Sequence, residues 1–229
     1  MTLPHRHLAE WPSAVLFDLD GTLVDSESVW LDTIRSRLER VGAPVSPAQL
    51  ADFEGLSSID AARILIAAEG LAADETEVAT ELEDHTIGTF AGRLRWIRGA
   101  EEALRGLRRE GVPLALVTSS SRRWVAAVEE SVHLGAFDAV VTADDVRHTK
   151  PHPEPYQRAV GLLGVDPSDC LVFEDSTVGA HAALAAGCRV VQVRPDEHGV
   201  TGTTDRIPDL SRVAAPWIAS LLTRDPAIP

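Results

Sequence analysis

Two aspartates two positions apart, Asp18 and Asp20, lie in Phe17-Asp18-Leu19-Asp20-Gly21-Thr22, directly after the apolar run Ala14 to Phe17. Like charges at the mouth of a buried strand repel one another unless protons or a cation offset them. The spacing therefore predicts a metal, and Gly21 lets the backbone turn closely about a ligand. An isolated Asp here would more often be a helix cap, which accounts poorly for a pair followed by Gly-Thr. A second pair, Glu174-Asp175, follows the apolar run Cys170 to Phe173 and precedes Ser176-Thr177-Val178-Gly179. Its carboxylates would join the first pair along one edge of a sheet. Hard oxygen donors of this kind suit Mg²⁺, which shares its remaining sites between water and a substrate phosphate.

The run Thr118-Ser119-Ser120-Ser121 ends another apolar stretch and precedes a helical pattern. Hydroxyls and unpaired N–H groups at a helix start make a phosphate cradle, although Ser runs are also ordinary N-caps. The last element is Lys150-Pro151. The chain has 21 basic residues, of which 20 are Arg and one is Lys. That skew reads as codon bias at surface positions, and it makes the single ammonium stand out. A compact point charge can reach a carboxylate and a phosphate oxygen together, where a planar guanidinium needs more room.

These residues need rigid elements behind them. Short apolar runs at Ala14–Phe17, Pro113–Val117, Ala139–Val141, Cys170–Phe173 and Arg189–Val193 alternate with helical patterns at Glu101–Glu110, Arg122–Val132, Glu154–Leu163 and Val178–Ala186. Unalternating apolar runs fit a parallel sheet covered on both faces. The expected fold is α/β, a Rossmann-like parallel sheet core, with ligands bound beyond the carboxyl ends of its strands. Residues 25–92 break the rhythm with helical patterns alone, at Ser28–Val41, Pro47–Phe53, Ile59–Ala68 and Asp74–Phe90. They are expected to form an inserted all-helical cap domain, with residues 1–24 and 93–229 as the catalytic core and hinges near Leu23–Asp25 and Ala91–Arg95. Arg194 to Asp209 is turn-rich and reads as loop.

The net charge of −14 disfavours a nucleic-acid binder. The insertion holds 14 acidic residues against 4 arginines, so the acidity belongs mainly to solvated helix faces of the cap. No run approaches a membrane span, and Met1 to Trp11 lacks a basic then apolar leader pattern. Cys170 and Cys188, each beside an apolar run, read as buried reduced thiols, with a cytoplasmic location as the default. His5 and His7 are close together but lie near the N-terminus, and His152-Pro153-Glu154 lacks the downstream Cys-x-x-Cys that a zinc deaminase needs. Neither a Gly-x-Gly-x-x-Gly nor a P-loop nor a Gly-x-Ser-x-Gly is present, which disfavours a dinucleotide dehydrogenase, a P-loop enzyme and a serine hydrolase of that type.

Asp18-x-Asp20-Gly21-Thr22, the hydroxyl at Thr118, Lys150-Pro151 and Glu174-Asp175-Ser176-x-x-Gly179, in that order, resemble the haloacid dehalogenase-like hydrolase superfamily, in the branch of β-phosphoglucomutase and small sugar-phosphate phosphatases. The resemblance covers nearly the whole chain. It implies Asp18 as nucleophile toward phosphorus and Asp20 as general acid and base. It implies Mg²⁺ held by Asp18, the Asp20 carbonyl, Asp175 and Glu174, the last directly or through water. Thr118, Ser119, Ser120 and Lys150 would hold the transferring phosphate. All four motifs are intact, which argues against an idle binding module, and their metal-binding set argues against metal-free dehalogenation. In the cap, the positions where the mutase has a His and a Lys-Gly-x-Ser-Arg loop are here Trp30 and Glu54-Gly55-Leu56-Ser57-Ser58. Ser58 cannot grip a second phosphate, and Glu54 suits a neutral polyol better than a bisphosphate. Trp30 fits a core position as well as a substrate-lining one. The resemblance thus implies a Mg²⁺-dependent phosphatase of a small sugar or polyol phosphate, monomeric as branch members often are, whose cap closes over the substrate; the alternative is a phosphomutase.

Overall fold

Period-two burial sets the centre of the molecule. In β1 (Ala14–Phe17), Val15 and Phe17 join the apolar cluster on one face of the sheet and Ala14 and Leu16 that on the other, and all four are fully buried. The computed structural model describes residues 11–40, 42, 45–70, 72–135, 137–193 and 199–222. Its other strands are β2 (Leu114–Val117), β3 (Ala139–Val141), β4 (Cys170–Glu174), β5 (Arg189–Val193) and β6 (Asp205–Ile207). They form one parallel sheet in the order β3-β2-β1-β4-β5-β6. Chain order reverses direction between β1 and β4, which opens a crevice at their carboxyl ends.

Between β1 and β2 lie α1 (Glu27–Arg40), α2 (Pro47–Ala51), α3 (Ser58–Glu69) and α4 (Glu75–Ile87), with no strand among the described residues there. This is the helical cap. Its ends are set locally: Ser46 and Gln49 close a capping box on α2, Ser57 caps α3 and Asp74 caps α4 through Thr76 and Glu77. The two chain crossings are zipped together, with Asp25 N donating to Arg95 O at 2.9 Å and Ile97 N to Leu23 O at 2.8 Å. The sheet is flanked by α5 (Ala100–Arg109), α6 (Arg122–Val132), α7 (Glu154–Leu163), α8 (Thr177–Ala185) and α9 (Ala215–Leu222). Cys170 and Cys188 are buried free thiols, each pushed up to about 12 by burial. Among the described residues no helix is long and apolar enough to cross a membrane.

Two elements differ from the sequence expectation. The stretch read as loop contains β6, which pairs with β5 from Val191–Asp205 to Val193–Ile207. It is an edge strand of three residues with one fully buried side chain, Ile207, too short and too polar to show a pattern. Residues 194–198 of that stretch lie outside the described residues, as do His5 and His7. The chain also adds α9, whose Ile218 and Leu221 are buried in the main cluster.

Candidate active site

Because β1, β2 and β4 are neighbours, the residues after them meet at the crevice. Asp18 is held by its own N–H, which donates to Phe173 O at 3.0 Å. Lys150, 4 % exposed, donates from Nζ to Asp18 Oδ1 at 2.7 Å and also to Glu174 Oε1. Glu174 is fully buried and spends both oxygens on protein donors. Tyr156 OH donates to Oε1 at 2.7 Å, while Ser176 donates to Oε2 from N at 3.3 Å and Oγ at 3.1 Å. Thr22 Oγ1 donates to Asp175 Oδ1 at 3.2 Å. Two glycines make this packing possible: a Cβ on Gly21, whose φ is +81°, would overlap Asp175, and one on Gly179 would overlap Glu174.

Burial pushes the Asp18 carboxyl well up, with Lys150 pulling the other way and Glu174, Asp175 and Asp20 adding repulsion. Asp175 rises through burial and repulsion by Glu174 and Glu27. Burial alone would lower Lys150, but Asp18 and Glu174 outweigh it and hold the ammonium charged. One ammonium thus faces several crowded carboxylates. Asp18, Glu174 and Asp175 each place an oxygen within 4.8 Å of the others. An all-oxygen, electron-rich cradle whose back wall is kept open by Gly21 fits Mg²⁺. A second group, His148, His152 and Glu154, lies on the exposed side of the Lys150 loop.

Asp20 is the hub of the opposite wall. Its Oδ1 accepts from Trp124 Nε1 at 2.8 Å and from Ser26 Oγ, and its Oδ2 from Ser120 Oγ at 2.7 Å and Thr118 Oγ1 at 3.2 Å. Thr118 Oγ1 in turn accepts from Ser120 N at 3.0 Å, so the loop after β2 is tied into a tight cup. Ser119 Oγ is buried at the cleft with no partner.

The cleft is closed on the cap side by Glu27, Trp30, Gly55, Leu56 and Ser58. Trp30, Gly55 and Ser58 therefore stand beside Asp18, Asp20, Thr118, Ser119, Ser120 and Lys150, whereas two residues of the same loop do not. Glu54 is exposed and lies outside the wall, and Ser57 spends its hydroxyl capping α3, donating to Asp60 Oδ2 at 2.6 Å and accepting from Asp60 N. Ser58 Oγ donates to Glu83 Oε1 at 2.5 Å, and Glu83 Oε2 accepts from Ser121 Oγ at 2.8 Å, a bridge from cap to core. Trp30 packs edge-on to Trp124 at 5.9 Å, so it serves both core and cleft.

Four residues of the site have no separate role in the sequence reading: Glu27, which stands in Asp25-Ser26-Glu27-x-x-Trp30, a stretch that looks like the start of some sugar-phosphate phosphatases, Ser176, which stands in Glu174-Asp175-Ser176-x-x-Gly179, and Trp124 and Tyr156. Glu27 could have been found from its place three residues before Trp30, one helical turn away on the same face. Its Oε1 accepts from Gly55 N at 3.2 Å, and burial with repulsion by Asp20 pushes it up to about 8. Trp124 and Tyr156 read as core because their rings are core; only the polar tips reach Asp20 and Glu174.

The model of the haloacid dehalogenase-like hydrolases matches residues 15–193. Hexitol phosphatase A of Escherichia coli is 36 % identical over 185 residues, covering 78 % of this chain and 81 % of that one. Validoxylamine A 7′-phosphate phosphatase of Streptomyces hygroscopicus subsp. limoneus is 33 % identical, covering 89 % of this chain and 96 % of that one. β-Phosphoglucomutase from Clostridium difficile shares the fold, with a TM-score of 0.80 at 19 % identity and coverage of 92 % and 97 %. The chain belongs to the haloacid dehalogenase-like hydrolase family. Within it, the chain is a phosphatase, a phosphoric monoester hydrolase.

Proposed function

We propose that the protein is a Mg²⁺-dependent phosphatase of a small sugar or polyol phosphate, working through an aspartyl-phosphate on Asp18, with residues 25–92 as the closing cap. The observation that carries this reading is the buried Asp18 carboxylate, bonded through Oδ1 to Lys150 at 2.7 Å and facing the donors of the loop after β2. In the first step an Asp18 oxygen bonds to phosphorus and the ester P–O bond breaks. Asp20 delivers a proton to the departing substrate oxygen. In the second, Asp20 takes a proton from water as that water bonds to phosphorus, and the bond to Asp18 breaks to release phosphate. Asp20 is thereby reprotonated for the next cycle. The Thr118 and Ser120 hydroxyls, which in the free protein donate to Asp20 Oδ2, would pass to phosphate oxygens on binding. Ser119 Oγ, buried without a partner, offers a further donor. Lys150 steadies the nucleophile and the transferring oxygens.

Asp18, Asp175 and the Asp20 carbonyl are the groups to hold Mg²⁺, which when bound neutralises charge between nucleophile and phosphate. Glu174 backs them by fixing Lys150. The kind of substrate is supported by similarity to enzymes named for hexitol and validoxylamine phosphates. Against the mutase alternative, Lys150 is the sole cationic side chain on the cleft wall among the described residues, leaving a second phosphate unmatched.

The test is phosphate release from a panel of sugar and polyol monophosphates, with and without Mg²⁺. Release that needs Mg²⁺ and falls at least about a thousandfold in Asp18→Asn is expected, the scale of losing a nucleophile. No release from any member would overturn the reading, and conversion of a hexose 1-phosphate to its 6-phosphate would replace it with the mutase.

A further inference from the structure

Glu27 and Trp30 stand three residues apart at the start of α1 and both line the cleft. Trp30 is 5 % exposed, yet its Nε1 has no hydrogen-bond partner. The other indole of the cleft, Trp124, spends its N–H on Asp20 at 2.8 Å. A buried N–H left unpaired is costly, and the residue that carries it lines the cleft on the cap side, opposite Asp18 and the loop after β2. Glu27 adds a carboxyl beside it, tied to the protein by a single bond from Gly55 N at 3.2 Å. No cap residue on this wall is cationic: the rest are Gly55, Leu56 and Ser58, and Ser58 is already committed to Glu83.

We propose that Glu27 and Trp30 form a hydroxyl-reading pair, which selects monophosphates whose distal part is a neutral hydroxylated chain and rejects those with a second anionic group there. The inference rests on the phosphatase reading above and goes beyond it by naming the selecting residues and the excluded substrates. A substrate hydroxyl accepts from Trp30 Nε1 and pairs with the Glu27 carboxyl. A carboxylate or second phosphate in that place would meet Glu27 with no cation to offset it.

The experiment compares kcat/KM for a hexitol 6-phosphate, for phosphoglycolate, which has a carboxylate where the hexitol has hydroxyls, and for p-nitrophenyl phosphate, which has neither. Wild type, Trp30→Phe and Glu27→Gln are measured, and affinity for the hexitol phosphate is followed by calorimetry in an Asp18→Asn background. Trp30→Phe keeps an aromatic ring but removes the donor together with part of the indole, so its loss is read against p-nitrophenyl phosphate, and Glu27→Gln keeps the shape. Wild type is expected to prefer the hexitol phosphate to phosphoglycolate. Each variant should raise KM for the hexitol phosphate about tenfold, the worth of one good hydrogen bond. Its preference for that substrate over p-nitrophenyl phosphate should fall by the same factor, and Glu27→Gln should gain on phosphoglycolate. If the hexitol phosphate is hydrolysed with the same preference in all three proteins, or wild type favours phosphoglycolate, the pair does not read hydroxyls and the phosphatase reading stands. If nothing is hydrolysed yet calorimetry shows the tenfold losses, the pair is right and the reaction wrong. Absence of both hydrolysis and binding overturns both.

Discussion

On the sheet side of the cleft, Asp18, Lys150 and Glu174 are 6, 4 and 0 % exposed and are bonded to one another. On the helical side, Glu27 holds one backbone N–H and Trp30 Nε1 holds nothing. The first set is closed: Glu174 is satisfied from four directions before any ligand arrives. The second is open, with polar groups waiting for a partner that the chain does not supply. Groups that must act identically on every substrate are pre-organised by strands in register, which costs nothing at the moment of reaction. On the proposed reading, groups that decide which substrate enters sit on helices, where a change of one side chain would alter selection and leave the machinery alone.

The sharpest way to break this contrast is to open the closed side. Lys150→Met would leave Asp18 and Glu174 facing each other without a cation, and unpaired buried charge of this kind costs about 3–5 kcal/mol. Urea denaturation of the metal-free protein should show a loss of that size. Lys150→Arg asks a finer question, since it keeps the charge and adds bulk beside the Tyr156 ring, 5.2 Å from Nζ. Its kcat/KM should fall at least about a hundredfold, since the guanidinium cannot take the ammonium's position. Full activity with Arg would mean that the single Lys among 21 basic residues is coincidence.

An effect of opposite sign is expected from closing the open side. The Glu27 carboxyl has an ordinary value of 4.5 and is pushed up to about 8 by burial, then by Asp20. Between those pH values the folded protein holds a proton that the unfolded chain has released. Stability therefore falls as pH rises through that window, with no penalty below 4.5 and the full penalty above about 8. Glu27→Gln removes the titration while keeping the acceptor for Gly55 N. In metal-free buffer it should be more stable than wild type at pH 9, by up to about 5 kcal/mol, and nearly equal to it at pH 4.5. A difference independent of pH would show that Glu27 is already open to bulk water and that the contrast between the two walls is overstated.

The same contrast explains what the sequence disclosed. The closed side was legible because short apolar runs, each ending in Asp, Thr or Glu, fix both the strand and the side chain at its end; Asp18, Thr118 and Glu174 could be placed together before any fold was known. Its supports were not, because Tyr156 and Trp124 carry their polar tips on rings that pattern as core. On the open side helical periodicity places a residue on a face without saying what that face meets. Trp30 was therefore ambiguous and Glu27 had no role of its own. Glu54 turns outward, while Ser57, one of three serine caps around the cleft with Ser121 and Ser176, is consumed by its own helix. The β6 edge strand and α9 were hidden for a simpler reason: three polar-leaning residues and one short helix give no period to read.

The smallest effect should come from the outer surface of the cap, where charge is plentiful. Arg63 joins α3 to α4 through Glu75 Oε2 at 2.7 Å and bonds Asp60 Oδ1 at 2.7 Å, yet its side chain is 55 % exposed. Solvent screens both pairs, and ordering a long side chain offsets much of the attraction, so such pairs are worth about 0–1 kcal/mol. Arg63→Ala should shift the denaturation midpoint accordingly, and the shift should vanish at 1 M salt, where the Debye length is about 3 Å. Asp60 makes the test more than a surface measurement, because its other oxygen accepts from Ser57 at the head of α3 and from Thr149 Oγ1 at 3.3 Å, next to Lys150. If Arg63→Ala lowered kcat/KM as well as stability, charge on the cap would be steering the lysine loop through Asp60, and the two walls would be coupled. A change confined to stability would leave chemistry on the strands and selection on the helices as separable properties of one chain.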